Sequence, residues 1–532
     1  MTQAAVGYAR EYAPAIVARG RVPMEPVGFV PDWGDAPRKG KFYPGVEALP
    51  LPHGSVPPRA TVARGLAGAA GAAGPGFTLA ELGGMLLDSY ALIGRRLAVQ
   101  ANTDLAALPS YQHANWCRAT ASGGGLYPCS IYLVSGPSGP LTPGVYYYST
   151  QRHALQPLSR GCYTEEIRAA LGGLPAAART DQFLVVGVKY WQNAFKYNSF
   201  AYHAVTMDVG TVVGTWRTWA AAHDLPLEPA LWFDEEPLAA LLGLRSGDEG
   251  VFAVVPLPWS APVASEPADR VAGRRTSGVQ HADQERSRRV LTFDAVQKMD
   301  EATLGRAADR PAAGALAAAA VAPVAGLRLQ LPEPVPLTVD VRTALRRRRS
   351  SFGRFSAHRP MPAAELATLL AASAGTRFRC DTDDVALARL YTFVNHVEGV
   401  PAGSYEYDPE ANALRPIRSG APGDFLQRNY FLANYNLEQA AAVLVPTVRT
   451  LAVLDAVGDR GYHLVNATVG AIAQSCYLAA AALGTGCGVA LGFDAVSYVE
   501  ELDLTASGEY PLLIMLVGPE RPTPANFRYE LV

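Results

Sequence analysis

The chain has 532 residues, of which 49% are hydrophobic and 18% are charged. This length exceeds what one hydrophobic core usually supports, and the composition is too apolar for a disordered protein, so we expect at least two globular domains. The formal net charge of -2 gives no electrostatic basis for binding nucleic acid or an anionic membrane.

The six cysteines are widely spaced and form no Cys-x-x-Cys pair, which indicates reduced thiols and no metal site. The first 20 residues contain no continuous apolar core of a signal peptide. The alanine-rich stretch 312–324 is interrupted by Gly314 and Pro323, so we predict no membrane span. These features favour a cytoplasmic protein.

Residues 1–57 precede the first domain and contain a proline-punctuated apolar segment at 21–33. Proline makes this segment a poor helix, yet Phe29, Val30 and Trp33 would favour burial. We therefore predict an N-terminal arm that wraps over one of the domains.

The rest of the chain contains one pattern of elements twice, over residues 58–259 and again over 338–532. Each copy has an amphipathic helix, an aromatic hairpin whose return strand includes proline, a long helix of small residues and a buried strand. In the first copy these begin near Leu79, Gly144, Ala201 and Gly250, and in the second near Ala364, Gly403, Gly461 and Tyr510. We predict an α+β fold made of two tandem domains, joined by a connector at 260–337 with some helix of its own.

The strongest local signal is the run Arg-Arg-Arg-Arg-Ser-Ser-Phe-Gly-Arg-Phe at 346–355. Four successive arginines are often a solvated surface, but these open a domain and lead into aromatic residues, and arginine forks bind phosphate well. The segment resembles the Arg-Arg-Ser-x-Arg-x-Phe signature of flavin-binding nitroreductases, although Phe352 stands where a further arginine is usual. The resemblance implies that the FMN-binding residues here are Arg347, Arg348, Arg349, Ser350 and Arg354.

A second signal is the loop Arg-Ala-Thr-Ala-Ser-Gly-Gly-Gly-Leu-Tyr-Pro at 118–128. Three glycines before a strand form either a flexible turn or a close backbone approach to a flat ligand. The loop resembles the Pro-Ser-Gly-Gly-x-x-Tyr-Pro stretch of SagB/ThcOx-type azoline dehydrogenases within the nitroreductase superfamily, with Ala121 in place of the proline. The resemblance implies further FMN contacts from Arg118, Ser122, Gly123 and Gly124.

The third signal is the pair Lys196-Tyr197, shortly before a helix that begins Ala-Tyr-His and contains Asp208 and Gly210. Azoline dehydrogenases have a catalytic Lys-Tyr pair at this spacing, followed by a Gly-Tyr-Arg helix start and Asp-x-Gly. The resemblance implies that Lys196 and Tyr197 are the catalytic residues. The alternative is a surface lysine in a salt bridge beside a core tyrosine.

The two copies differ in what they keep. The first copy lacks the run of arginines that opens the second. The second copy lacks the other two motifs: Val385–Tyr391 stands in place of the glycine loop, and Ala456-Val457 stands in place of the Lys-Tyr pair. The second copy adds a glycine-rich turn that contains Leu491 and Gly492. Nitroreductases bind FMN at a dimer interface, so the resemblance implies an intramolecular pseudo-dimer with one FMN and an inactive second site. Arg528 could also reach the phosphate, or it could belong to a frayed tail.

The resemblance implies an FMN-dependent oxidoreductase that converts thiazoline or oxazoline rings to azoles in a ribosomally made peptide of a thiopeptide-type pathway. A cyclodehydratase is then the expected partner, and the tandem chain could act as a monomer or a homodimer. Lys196 would serve as base if its pKa were lowered by burial, and Tyr197 would donate a hydrogen bond. The alternatives are an NAD(P)H-dependent nitro or quinone reductase, an oxidase of another peptide or carrier-bound substrate, and a flavin-free peptide-binding scaffold.

Overall fold

The computed structural model describes residues 7–68, 74–97, 100–102, 104, 107–110, 114–260, 279, 281–522 and 527–531. Its strands form two large antiparallel sheets, one three-stranded sheet and one two-stranded sheet, and helices pack around them. The helices up to the connector are α1 Tyr8–Ala18, α2 Val62–Ala67, α3 Leu79–Ser89, α4 Thr164–Ala170, α5 Pro175–Ala178, α6 Trp191–Tyr197, α7 Ala201–Ala222, α8 Glu235–Leu242 and α9 Asp294–Leu304. The strands of the same part are β1 Leu49–Pro50, β2 Gly94–Leu97, β3 Gln100–Asn102, β4 Ala107–Ser110, β5 Ala114–Cys117, β6 Cys129–Ser135, β7 Gly144–Ser149, β8 Ala154–Arg160, β9 Gln182–Lys189 and β10 Glu249–Pro256.

The second half follows with its own set of elements. Its helices are α10 Val341–Arg347, α11 Ala363–Ala374, α12 Gly423–Arg428, α13 Thr450–Val457, α14 Gly461–Leu483 and α15 Ala495–Glu501. Its strands are β11 Leu329–Gln330, β12 Ala388–Val394, β13 Gly403–Asp408, β14 Ala413–Ser419, β15 Ala442–Val448, β16 Gly486–Ala490, β17 Tyr510–Pro511, β18 Ile514–Gly518 and β19 Arg528–Glu530.

The six strands of the first large sheet have counterparts in the same order in the second, which adds β16 and β17. The first runs β1-β8-β7-β6-β9-β10, and the second runs β11-β14-β13-β12-β15-β18-β16, with β17 added on β15. Both hairpin turns even hold a non-glycine residue in the left-handed region, His153 at φ 45° and Asn412 at φ 46°. The predicted tandem α+β fold is confirmed.

The long helices α7 and α14 pack directly against each other between the sheets. A Cβ on Gly210 would lie 2.1 Å from the carbonyl oxygen of Ala467, and a Cβ on Gly470 would lie 2.1 Å from that of Met207. The sequence repeat aligns these residues with one another, so the contact is reciprocal. The small residues of both helices therefore allow two backbones to meet across a pseudo-twofold axis.

Hydrogen bonds across this axis are also reciprocal. The Tyr202 hydroxyl lies 2.7 Å from Nε2 of His463, and the Tyr462 hydroxyl lies 2.7 Å from Nδ1 of His203. All four side chains are buried. The two halves thus form an intramolecular pseudo-dimer. Helix α14 is also long and apolar enough to cross a membrane, but 94% of its apolar window is buried inside the protein, as expected for a core helix.

The N-terminal arm differs in part from the sequence prediction. It begins with helix α1, and Phe29 packs edge-on against Phe293 of the connector with ring centroids 5.3 Å apart. Val30 and Trp33 are exposed, at 81% and 58%, so the prediction that they are buried was wrong. The Trp33 ring instead covers Phe195 edge-on at 4.9 Å, which leaves much of its surface in solvent.

Candidate functional site

The glycine loop before β6 is held by a carboxylate from helix α7. Ser122 Oγ donates to Asp208 Oδ2 at 2.5 Å, and the Gly123 amide donates to Asp208 Oδ1 at 2.9 Å. The Tyr127 amide in turn donates to Ser122 Oγ at 2.8 Å. Burial raises the pKa of Asp208 to about 7, although both hydrogen bonds favour its charged form. Asp208 therefore fixes the position of the glycines.

Gly124 lies against the predicted catalytic pair. Its φ is 62°, and a Cβ at this position would lie 2.6 Å from the Tyr197 hydroxyl and 2.9 Å from Lys196 Nζ. Only a residue without a side chain fits here. The structure therefore brings together two segments that are far apart in sequence, the loop at 122–124 and the end of helix α6.

Lys196 is partly buried in an aromatic setting. Its Nζ lies 4.8 Å from the centroid of the Tyr197 ring and 5.9 Å from that of Trp33. Burial lowers the pKa of Lys196, because desolvation disfavours the charged ammonium. Burial and the nearby Asp208 raise the pKa of Tyr197 well above its usual value, so its hydroxyl stays protonated. One group is thus favoured as a proton acceptor and the other as a hydrogen-bond donor.

The second half supplies the opposite side of the site. Leu491 and Gly492 follow β16, and a Cβ on Gly492 would lie 4.0 Å from the Tyr430 ring. Burial raises the pKa of Tyr430, and the nearby Tyr197 of the first half raises it further.

Arg19, which follows the last residue of helix α1, contacts both sides of the site. Its guanidinium donates to the Leu491 carbonyl and lies 4.3 Å from the centroid of the Phe200 ring, which follows the Lys-Tyr pair. The N-terminal helix therefore holds the Leu491-Gly492 turn next to the segment that carries Lys196 and Tyr197. No sequence signal had assigned this role to Arg19.

Arg348 crosses from the second half to the first. Its Nε donates to the Ala119 carbonyl and its Nη2 donates to the Arg118 carbonyl at 3.1 Å. The guanidinium also lies 5.1 Å from the centroid of the Tyr477 ring, and the Tyr477 hydroxyl lies 2.8 Å from Ser350 Oγ. Arg348 and Ser350 therefore lie where the loop at 118–124 begins.

Three further arginines, Arg96, Arg349 and Arg528, lie near Arg348 at this junction. Arg96 on β2 donates to the carbonyls of Arg346 and Arg348, the latter at 3.0 Å. Arg528 on β19 is in register with Arg96, so the C-terminal strand of the chain pairs with a strand of the first half. Burial and the charges of Arg348 and Arg528 lower the pKa of Arg96. We call Arg96, Arg348, Arg349 and Arg528 the arginine cluster.

Arg349 and the other predicted arginines have surroundings that differ from those of Arg348. Arg349 and Arg354 both pair with Glu520, at 3.1 Å and 3.5 Å, and Arg347 is exposed. The Arg118 side chain points into the first domain, where it donates to the Lys39 carbonyl at 2.6 Å and packs between two tyrosine rings. Arg118 thus meets the second half through its backbone carbonyl.

These residues fit an FMN. The arginine cluster concentrates positive charge that suits a phosphate group, although Arg349 also pairs with Glu520 and Arg528 with Glu530. The buried Nε atoms of Arg346 and Arg354 have no hydrogen-bond partner among the described residues. From the cluster, the loop at 118–124 leads to Gly124, whose missing side chain allows the backbone to contact Lys196 and Tyr197. Arg96 was not predicted from the sequence, because its place depends on pairing between strands at opposite ends of the chain.

The symmetry-related region of the second half differs. Val385–Tyr391, taken from the sequence as the counterpart of the glycine loop, runs largely into β12, which corresponds to β6. The strand order therefore corrects that alignment. The loop before β12 instead contains Asp381, which accepts from the amides of Leu231 and Trp232 at 2.8 and 3.1 Å.

Comparison with known proteins agrees with this architecture. Residues 345–519 match the nitroreductase family. A protein of Methanocaldococcus jannaschii assigned as a nitroreductase is 34% identical over 135 residues, which cover 24% of this chain and 63% of that protein.

Solved structures extend the similarity to both halves. A structure assigned as a nitroreductase from Anabaena variabilis matches 97% of this chain and 100% of its own, with a TM-score of 0.70 and 22% identity. A chain of the E. coli microcin synthetase McbBCD complex with truncated pro-MccB17 matches 34% of this chain and 63% of its own, at 17% identity and a TM-score of 0.26, which is too low to support an argument. Residues 345–519 therefore match the nitroreductase family, and the whole chain has a tandem nitroreductase fold.

Proposed function

We propose that this chain is an FMN-dependent dehydrogenase that oxidises thiazoline or oxazoline rings to thiazoles or oxazoles in a ribosomally synthesised peptide. The observation that carries the proposal is the contact of Gly124 with Lys196 and Tyr197. It places a partly buried amine and a phenol at the end of a loop that begins at the arginine cluster. A reductase of the plain nitroreductase type has no need of this pair.

The cofactor would be held by both halves. The arginine cluster would bind the phosphate, with Ser350 as a further donor, and the loop at 122–124 and the turn Leu491-Gly492 would border the ring. When bound, FMN supplies an acceptor for the hydride that leaves the β-carbon of the azoline.

The residues of the chain would handle the proton that leaves the neighbouring α-carbon. Because burial lowers the pKa of Lys196, a larger fraction of its amine is free to accept this proton at neutral pH. Because the pKa of Tyr197 is raised, its hydroxyl remains a donor and orients the ring or the cofactor. The Trp33 ring lies 5.9 Å from Lys196 Nζ and the Phe200 ring lies 6.0 Å from the Tyr197 ring, so aromatic side chains border the pair.

The proposal also specifies the substrate, the partner enzyme and the electron acceptor of the reaction. The substrate would be an azoline-containing precursor peptide from a thiopeptide-type pathway, delivered by a cyclodehydratase in the cytoplasm. The reduced cofactor would be reoxidised by oxygen or by another external acceptor. The tandem fold provides its own interface, so a single chain could be active.

A second candidate is an NAD(P)H-dependent nitro or quinone reductase, which the nitroreductase assignments of the matched proteins favour. A third is a flavin-free scaffold, which is favoured by Arg348 and Arg349 already having partners in the protein. The three candidates differ in whether cofactor is bound and in which substrate changes the state of that cofactor.

The test begins with the absorbance of cofactor released from the purified protein, for which we expect about one FMN per chain. The loaded protein is then mixed without oxygen with an azoline peptide, or with NADPH. Bleaching of the flavin by the peptide, with loss of two mass units from the peptide per ring, supports the dehydrogenase. Bleaching by NADPH alone supports the reductase, and protein that stays colourless after incubation with FMN supports the scaffold.

A further inference from the structure

The N-terminal arm is fixed to the proposed flavin site by two buried donors. Gln192 on α6 donates through Nε2 to the Arg38 carbonyl at 2.6 Å, and Arg118 donates through Nη2 to the Lys39 carbonyl at 2.6 Å. Both donor side chains are only 2% exposed. The backbone of the arm at 38–39 therefore bridges helix α6 and the loop that begins at Arg118.

Lys39 carries a positive charge that no carboxylate among the described residues pairs with. The next lysine along the chain, Lys41, pairs with Glu249 at 2.5 Å, whereas Lys39 is half-buried and has no such pair. Burial lowers the pKa of Lys39, and the charges of Arg118 and Lys196 lower it further. The charged groups that act on Lys39 are thus cations.

The carboxylate of the glycine loop does not compensate these cations. Asp208 already accepts from Ser122 Oγ and from the Gly123 amide. Its pKa of about 7 leaves about half of it uncharged at neutral pH. A half-buried ammonium without a partner, such as that of Lys39, is costly, and a bound anion would remove that cost.

Exposed apolar side chains border the same site from the arm and from the second half. The Trp33 ring is 58% exposed and lies 5.9 Å from Lys196 Nζ. Phe431 and Leu432 are 47% and 57% exposed, and the Phe431 amide donates to the Gly492 carbonyl at 2.8 Å. Exposed apolar residues grouped around a site indicate a binding surface, here one that suits a ligand with apolar and anionic parts.

The outer surface of the site consists of Trp33, Lys39, Phe431 and Leu432. We propose that the substrate peptide binds across this outer surface through a carboxylate next to its azoline, and that Lys39 receives that carboxylate. The inference rests on the proposed function and adds which peptides the site accepts. A lone ammonium suits a single carboxylate, whereas the cofactor phosphate is assigned to the arginine cluster. Lys39 is thus a specificity-determining residue that takes no part in the proton transfer.

The test uses the full chain, incubated with FMN, and capped pentapeptides with a central thiazoline. One probe is uncharged, two carry glutamate immediately before or after the ring, and one is uncharged except for a free C-terminal carboxylate. We expect at least about tenfold higher kcat/KM for one of the carboxylate probes, mainly through KM, because an ion pair forms in the bound state. Preference for a glutamate probe assigns a side-chain carboxylate, and preference for the last probe assigns the peptide terminus.

Lys39→Gln should remove this preference, Lys39→Arg should retain it, and Lys39→Glu should favour a probe with lysine in the preferred position. Lys298→Gln is the matched control, because Lys298 pairs with Asp294 at 2.8 Å on the surface of α9, and it should behave as the wild type. The melting temperature and FMN content of Lys39→Gln should equal those of wild type. Loss of FMN would assign Lys39 to the cofactor and overturn the proposal, as would a carboxylate preference that persists in Lys39→Gln.

Calorimetric titration of the same probes separates this proposal from the proposed reaction. Carboxylate-dependent binding that is lost in Lys39→Gln, without oxidation of any probe, supports the role of Lys39 and rejects the dehydrogenase. Oxidation of all probes with equal kcat/KM retains the dehydrogenase and overturns the role of Lys39. Neither binding nor oxidation of any probe overturns both.

Discussion

The Tyr202 hydroxyl lies 2.7 Å from Nε2 of His463, and the same contact recurs between Tyr462 and His203. Each tyrosine belongs to one half and its histidine partner to the other. Burial lowers the pKa of both histidines, His203 to about 3, so the rings are neutral and the contacts persist across physiological pH. These pairs connect helices α7 and α14 across the pseudo-twofold axis.

Replacing Tyr202 by phenylalanine should lower the free energy of unfolding by about 1–3 kcal/mol, because buried His463 would lose its partner. Urea denaturation of the full chain measures the change. Tyr529→Phe is the control, since the Tyr529 side chain is 57% exposed and should change stability by less than about 0.5 kcal/mol. Equal midpoints for the two variants would contradict a stabilising role for the pair.

Replacing Lys196 by alanine should reduce kcat for azoline oxidation by at least about 100-fold, because the proton acceptor is removed. The FMN content should stay at the wild-type level, since the phosphate would be bound elsewhere. Lys298→Ala is the matched control, because Lys298 pairs with Asp294 on the surface of α9. Wild-type kcat in Lys196→Ala would rule out its role as base.

A comparison of alanine variants at Gly124 and Gly125 separates the effect of a clash in the site from the effect of backbone strain. Both have positive φ, at 62° and 64°, so alanine is strained at either position by roughly 1 kcal/mol. A Cβ on Gly124 would collide with Tyr197 and Lys196, whereas nothing lies within 4 Å of one on Gly125. We expect Gly124→Ala to lose at least tenfold more activity than Gly125→Ala at a similar melting temperature. Similar activities would place the chemistry away from this loop.

Arg96 and Arg95 are neighbours on β2 and can be compared in the same way. Arg96 donates to the carbonyls of Arg346 and Arg348, whereas exposed Arg95 donates to the Ala114 carbonyl at 3.0 Å. We expect Arg96→Gln to weaken FMN binding about tenfold or more and Arg95→Gln to leave it nearly unchanged, as measured by flavin fluorescence during titration. The reverse order would place the phosphate elsewhere.

The raised pKa of Asp208 predicts a pH-dependent stability. Between the ordinary aspartate pKa of 3.8 and the folded value of about 7, the folded protein binds a proton that the unfolded chain has released. The stabilisation from this proton is full below about pH 4 and is lost as pH rises to 7. Asp208→Asn has no such proton, so its melting temperature should rise relative to wild type from pH 5 to pH 8.

The control for this experiment is Asp309→Asn, which changes an exposed aspartate paired with Arg306. Its melting temperature relative to wild type should be constant over the same pH range. A constant difference for Asp208→Asn as well would mean that Asp208 titrates as an ordinary aspartate. Asparagine can still accept from the Gly123 amide, so the loop should keep its shape.

The sequence predicted the tandem fold because both copies carry the same order of local patterns. Helix α7 and helix α14 begin with nearly the same residues, and each hairpin has an aromatic strand, a polar turn and a return strand that contains proline. Such patterns are local and can be read without knowing the tertiary structure. The resemblance assigned Gly124 and Lys196 to one flavin site, but neither it nor any local pattern predicted their contact.

The roles of Arg96 and Arg19 could not be predicted in this way. Arg96 is placed by pairing of β2 with β19, and Arg19 by the packing of α1 against both halves, so each depends on residues hundreds of positions away. Trp33 was expected to be buried because of its hydrophobicity alone. Its ring instead packs against Phe195 at the protein surface and remains largely exposed to solvent.

The joining of both halves in one chain has a consequence for how the protein can change. In a homodimer every substitution appears on both sides of the twofold axis, so a residue that improves one site is imposed on the other. Here position 208 holds the carboxylate that anchors the glycine loop, while the aligned position 468 holds a threonine that bonds to its own helix backbone. Substitutions can therefore accumulate independently on the two sides of the interface. Because both halves belong to one chain, dilution does not separate them.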